Sequence, residues 1–80
     1  MVVDVYLGKL GNEQKIGEIT AEELTQLGWM LPTKGDLFCF GDGNDAEVLV
    51  VEQVLLDYCH YSDEEYEPTY SVFCKPYLWE

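Results

Sequence analysis

Cys59 and His60 are the one adjacent thiol and imidazole in the chain, and three cysteines with one histidine are all it has of either type. A cysteine nucleophile needs its base within hydrogen-bond reach. Neighbours on an extended strand point to opposite faces, so this pair is adjacent without facing. No serine, lysine or histidine constellation replaces it. The carboxylates Asp63, Glu64, Glu65 and Glu67 follow closely. Acid/base work requires carboxyls whose pKa is moved by burial or by neighbours, and a solvated loop supplies neither. The expectation is therefore no enzyme.

Metal and nucleotide chemistry are also weakly supported. Cys39, Cys59, His60 and Cys74 match a Cys3His zinc set in composition. Structural zinc sites space their ligands in close pairs, and here the only close pair is Cys59-His60. Asp42-Gly43-Asn44-Asp45-Ala46-Glu47 starts like a calcium loop. Ala46 then takes the fifth ligand position, and Glu47 stands where the invariant glycine belongs. Gly41-x-Gly43-x-x-Ala46 loosely fits a dinucleotide fingerprint, but that needs a parallel βαβ unit, and Asp42 and Asp45 would repel the phosphate. No metal and no cofactor are expected.

Charge is more informative. The chain has 80 residues, 16 acids against four lysines, no arginine and a net charge of −12. Lys9, Lys15, Lys34 and Lys75 all lie outside residues 35–74. That segment holds Asp36, Asp42, Asp45, Glu47, Glu52, Asp57, Asp63, Glu64, Glu65 and Glu67. Unpaired like charge destabilises a compact fold by self-repulsion. Direct binding to nucleic acid relies on Lys and Arg at phosphates, so this surface has the wrong sign. An anionic membrane surface is excluded on the same ground. No apolar run reaches bilayer length, and the start lacks the basic region and cleavage site of a signal peptide. Three cysteines without Cys-x-x-Cys spacing fit free thiols in a reducing compartment. These features predict a cytoplasmic protein, in the host cell if phage-encoded. An apolar fraction of 48% is that of a globular chain, and the length suits one domain over residues 1–80.

The elements that must position these residues read as follows. Val3, Val5 and Leu7 alternate with Val2, Asp4 and Tyr6, a strand with one buried face. Residues 15–19 form a second strand, and the short polar loop between the two predicts a hairpin. Thr20 and Glu23 have capping-box spacing, Ile19 and Leu24 that of a hydrophobic staple. The helix, over about residues 20–28, should close at Gly28 and dock through Leu24, Leu27 and Trp29. A turn is expected at Pro32-Thr33-Lys34-Gly35, with proline at its second position. Leu37-Phe38-Cys39-Phe40 is apolar on both sides, so it is read as an interior strand. Residues 46–58 fit either a helix capped by Asn44 or a strand. Four valines among them favour a strand, bent or bulged near Glu52-Gln53. Residues 69–75 alternate as a last strand, which Pro76 either confines to an edge or ends. The fold class is α+β: a small antiparallel β-sheet of about five strands with one short helix.

Residues 58–70 then stand out as four tyrosines and four carboxylates between two strands. Tyrosine anchors interfaces by burying large area with few rotatable bonds, and carboxylates around it receive Lys or Arg. The expected partner-binding residues are Asp57, Tyr61, Asp63, Glu64, Glu65, Tyr66 and Glu67, with Glu47 and Glu52 on the preceding strand. Asp45 extends the same row, as one continuous acidic face. Alternate strand residues repeat at about twice the 3.4 Å phosphate rise, so such a row imitates a nucleic-acid backbone. In size and acidity the chain resembles the small acidic inhibitors of phages and mobile elements, the anti-CRISPR and DNA-mimic proteins. The resemblance is to a class and rests on no shared motif. It implies a basic nucleic-acid-binding protein or complex as partner, whose groove the inhibitor occupies. The alternative is a small accessory domain whose acidity serves only solubility. Pairing of exposed strand edges would make a homodimer.

Overall fold

A computed structural model describes residues 1–57 and 68–77. The first hairpin forms as its alternation requires. β1 (Val2–Leu7) pairs antiparallel with β2 (Gln14–Thr20), and Val3 and Val5 are fully buried. Helix α1 (Ala21–Gln26) follows at once. Thr20 Oγ1 accepts from the Glu23 N–H at 3.1 Å, and the Glu23 carboxylate accepts from the Thr20 N–H at 3.4 Å. Both halves of the capping box are present, as read from the sequence. Gly28 takes φ +77, the Gly28 N–H donates to Thr25 C=O, and the Trp29 N–H donates to Leu24 C=O. This is a Schellman closure, which asks one residue for a left-handed backbone and so favours glycine. The docking expectation fails in part. Leu24 is buried, but Leu27 is 74% exposed and Trp29 54%. A helix of under two turns presents one core residue, and Trp29 lies past its cap with no helical face to place it.

β3 (Leu37–Phe40), a 3-10 turn at Gly43–Asp45, β4 (Glu47–Asp57) and β5 (Thr69–Pro76) complete the chain. Residues 46–57 are thus a turn end followed by a strand, and the β4 register shifts between Val51 and Gln53, where the bulge was expected. The turn before β3 closes two positions later than predicted, with the Asp36 N–H donating to Thr33 C=O and Pro32 buried ahead of it.

The strand order is β2-β1-β5-β4-β3. Three of the four strand pairings are antiparallel, but β1 and β5 run parallel. The sheet is therefore mixed, which corrects the purely antiparallel reading. The last strand inserts beside the first, an arrangement no hairpin makes and no local alternation encodes. Two placements change with it. β5 is central, not an edge, and Ser71, Val72, Phe73 and Cys74 are all buried; Pro76 only ends it. β3 is an edge, not interior, with Leu37 and Cys39 exposed.

The sheet curls far enough to bring a side chain of one edge strand against the other. A Cβ added to Gly17 on β2 would lie 2.4 Å from Cζ of Phe40 on β3, although those strands end the sheet on opposite sides. Inside the curl, Val3, Val5, Leu24, Leu49, Val51, Val72 and Cys74 form the core, with Leu7, Ile19, Leu31, Phe38, Phe40, Val54 and Tyr70 packed against it. The Tyr70 hydroxyl donates to Pro32 C=O and ties the crossover segment to β5. On the outer side Tyr6 stacks on Phe73 with ring centroids 5.1 Å apart.

Candidate functional site

The expected partner-binding residues fall into two groups. Tyr61, Asp63, Glu64, Glu65, Tyr66 and Glu67 lie outside the described residues, as do Cys59 and His60. Glu47, Glu52 and Asp57 all lie on β4. Glu47 is exposed at its start, opposite Phe40; Glu52 sits at the bulge; Asp57 ends the strand opposite Thr69. Consecutive members are five positions apart, about 17 Å along an extended strand. They are stations on a long strand rather than a contiguous row. Glu52 also has company. Its carboxylate accepts from Lys75 Nζ at 2.8 Å. The Lys75 hydrogen bond, then the charges of Lys75, Lys34 and Lys9, hold Glu52 below the ordinary carboxylate value. Lys75, just outside residues 35–74, thus pairs with that carboxylate and the charges of Lys34 and Lys9 act on it, so the acidic character is interrupted there.

Further ion pairs follow the first hairpin and helix. Lys15 reaches Asp4 at 3.2 Å and Glu18 at 3.3 Å, and those contacts, Asp4 first, raise its pKa. The N-terminal ammonium lies 3.6 Å from Glu22. Apart from the half-buried Asp4, these groups lie at the surface, where ion pairs stabilise little.

A group of carboxylates without an ion pair among the described residues lies at the β3–β4 turn. Asp42 and Asp45 on the turn and Glu47 beside it are exposed and have no ion pair there. Asp45 and Glu47 border a cleft of about 260 Å³ whose other walls include Leu7, Ile16, Phe40 and Leu49. An apolar floor with carboxylates at one side suits the stem and head of a long cationic side chain. Asp45 and Glu47 belong to the acidic row expected from the sequence; Asp42 belongs to the same acidic segment but not to that row. The signal the sequence lacked was the curl, which brings Ile16 and Leu7 beside the turn.

A second concavity opens between α1 and β3. It has about 300 Å³ and is lined by Ile19, Leu24, Leu27, Trp29, Pro32, Asp36, Leu37, Phe38 and Cys39. Its rim residues Leu27 and Trp29 were expected in the core. The readable signal was Trp29-Met30-Leu31 itself: an apolar run after the helix stop has no periodic face to bury it.

Cys39 and Cys74 do not meet. By pairing register Cys39 shares a face with Val48, and Cys74 shares the other face with Val51. Burial pushes the Cys74 thiol up to about 11, so it stays protonated and a poor nucleophile at neutral pH. No group of three His, Cys, Asp or Glu side chains among the described residues is arranged to hold a metal ion. No helix among them is long and apolar enough to cross a membrane. No protein-family model, curated protein or solved structure matches this chain.

Proposed function

We propose that this chain is an acidic protein-binding inhibitor that occupies the basic nucleic-acid-binding surface of a larger protein. The observation that carries the reading is charge segregation. The four lysines come from outside residues 35–74. Lys15 is paired on the first hairpin, Lys75 pairs with Glu52, and the charges of Lys34 and Lys9 also act on Glu52. The β3–β4 turn keeps Asp42, Asp45 and Glu47 without a cation, beside an apolar-floored cleft. Carboxylates left unneutralised repel one another at a cost in stability; against an Arg- or Lys-rich groove the same charges steer association and fix register. Asp57 and the acidic segment with Tyr61, Asp63, Glu64, Glu65, Tyr66 and Glu67 extend this character in sequence. No catalytic role, metal or cofactor is part of the proposal.

The test is capture of partners from a bacterial lysate, with nucleic-acid competition. A partner should bind at low salt and be released by high salt and by added DNA or RNA. Two charge reversals separate the surfaces: Asp42, Asp45 and Glu47 to Lys, and Glu64, Glu65 and Glu67 to Lys. Loss of capture in either supports the reading and locates the contact. Capture that survives both, or a partner indifferent to nucleic acid, leaves only a domain whose acidity serves solubility.

A further inference from the structure

The groove between α1 and β3 borders an unpaired strand edge. Among the described residues β3 ends the sheet, and its one strand partner there is β4. The Val51 N–H donates to Asp36 C=O at 2.9 Å, so Asp36 faces β4. In an antiparallel ladder successive residues alternate between facing the partner and facing away. Leu37 and Cys39 therefore turn their N–H and C=O groups outward, and their side chains are exposed as well. Beyond that edge lie Leu24 as floor and Leu27 and Trp29 as rim. The exposure of Leu27, Trp29 and Leu37 is 74%, 54% and 42%, which makes a coherent apolar strip. Exposed edges are usually blunted by charge, proline or a covering element, and β3 carries no charge and no proline.

We infer that the β3 edge and this groove take an extended segment of a partner protein as an added strand, one that alternates apolar side chains with Lys or Arg. Strand addition supplies main-chain hydrogen bonds from the edge and selects alternate side chains through the groove. Charge decides the class of occupant. A second copy of this chain would bring another −12 onto a chain already at −12, and like fields disfavour that encounter. A basic strand is drawn to it. Asp36 lines the groove and is held by the neutral Thr33 N–H and hydroxyl, so its negative charge faces any cationic flank uncancelled by those partners. This inference does not need the nucleic-acid-mimic reading, because it concerns a different surface.

The test titrates the full chain with a capped peptide alternating lysine and valine. Backbone amide signals are followed by NMR, and Trp29 fluorescence in a Trp79→Phe background. The expected result is slowed exchange of the Leu37 and Cys39 amides, a shifted Trp29 emission, and about tenfold or greater weakening by Cys39→Pro. Proline at an outward-facing edge position removes a donor without breaking the ladder. Leu27→Ser, at an exposed position, should weaken binding similarly and serves as the readout should the proline variant misfold. Equal binding to both variants overturns the inference, as does equal binding of a glutamate–valine peptide. A concentration-dependent dimer abolished by Cys39→Pro would give the edge to a second copy. Binding that appears only after removal of residues 78–80 would give it to the chain's own tail.

Discussion

β3 and β5 look alike in sequence and end in opposite surroundings. Leu37-Phe38-Cys39-Phe40 and Val72-Phe73-Cys74 are both apolar on both sides of the strand. β5 is paired on each edge and buried on each face: Val72 is 0%, Phe73 2% and Cys74 1% exposed. β3 is paired on one edge and leaves Leu37 and Cys39 in water. Local apolarity thus says that a strand wants cover, not that the fold gives it. Where cover is missing, apolar surface is available to a partner. Stability should then reside in β5 and its neighbours, and recognition at β3 and the turn beyond it.

The largest expected effect tests the centre against the edge. Truncating a buried aromatic costs about 3–5 kcal/mol, a large share of the roughly 5–15 kcal/mol that holds a domain folded. Phe73→Ala should therefore leave the protein largely unfolded in denaturant titration, while Leu37→Ala should stay within about 1 kcal/mol of the parent. Comparable losses would mean that β3 is as covered as β5. Next is the seam where Phe40 of one edge strand meets Gly17 of the other. Overfilling a packed site costs about 1–3 kcal/mol, and Gly17→Ala drives a Cβ into the Phe40 ring. Thermal melts should show the loss, and Phe40→Leu in the same chain should recover part of it. An unaffected melt would mean that the seam opens freely.

A smaller effect concerns the helix that floors the groove. Loss of a Thr N-cap costs about 1 kcal/mol, so Thr20→Ala should lower the melting temperature modestly and increase hydrogen exchange at Glu23. The subtlest contrast is between thiols, in a Cys59→Ser background. Cys39 should react with a thiol reagent within the mixing time at neutral pH, and Cys74 only at the rate of unfolding. The Cys74 pKa is raised in the folded state, from 9.0 to about 11. Its contribution is therefore fully present below pH 9 and is lost as the pH rises toward 11, because the unfolded chain releases that proton more readily. Denaturation midpoints should fall across that window, and less so in Cys74→Ala.

Several elements were legible without a structure because their causes are local. Thr20, Glu23, Leu24 and Gly28 satisfy or end a helix within a few residues of themselves, and they do so in the fold. The β1 alternation, the valines of β4 and the bulge near Gln53 are equally local, since the side-chain period of a strand is two. Of the site, the charge imbalance of residues 35–74 was plain, but its layout was not. Glu52 looked like part of an unbroken acidic row until folding carried Lys75 to within 2.8 Å of it. Leu27 and Trp29 looked like core because apolarity was all that could be read; whether anything packs over them depends on distant strands.

Sequence alone determined the charge field, the number of strands, the helix ends and the bulge, all of which follow from composition or from interactions between near neighbours. Tertiary structure alone decided that β5 inserts between β1 and β4, that β3 is the open edge, and that the sheet curls to bring Phe40 onto Gly17. Those outcomes depend on which apolar faces bury together most completely across the whole chain, a competition that no single segment encodes.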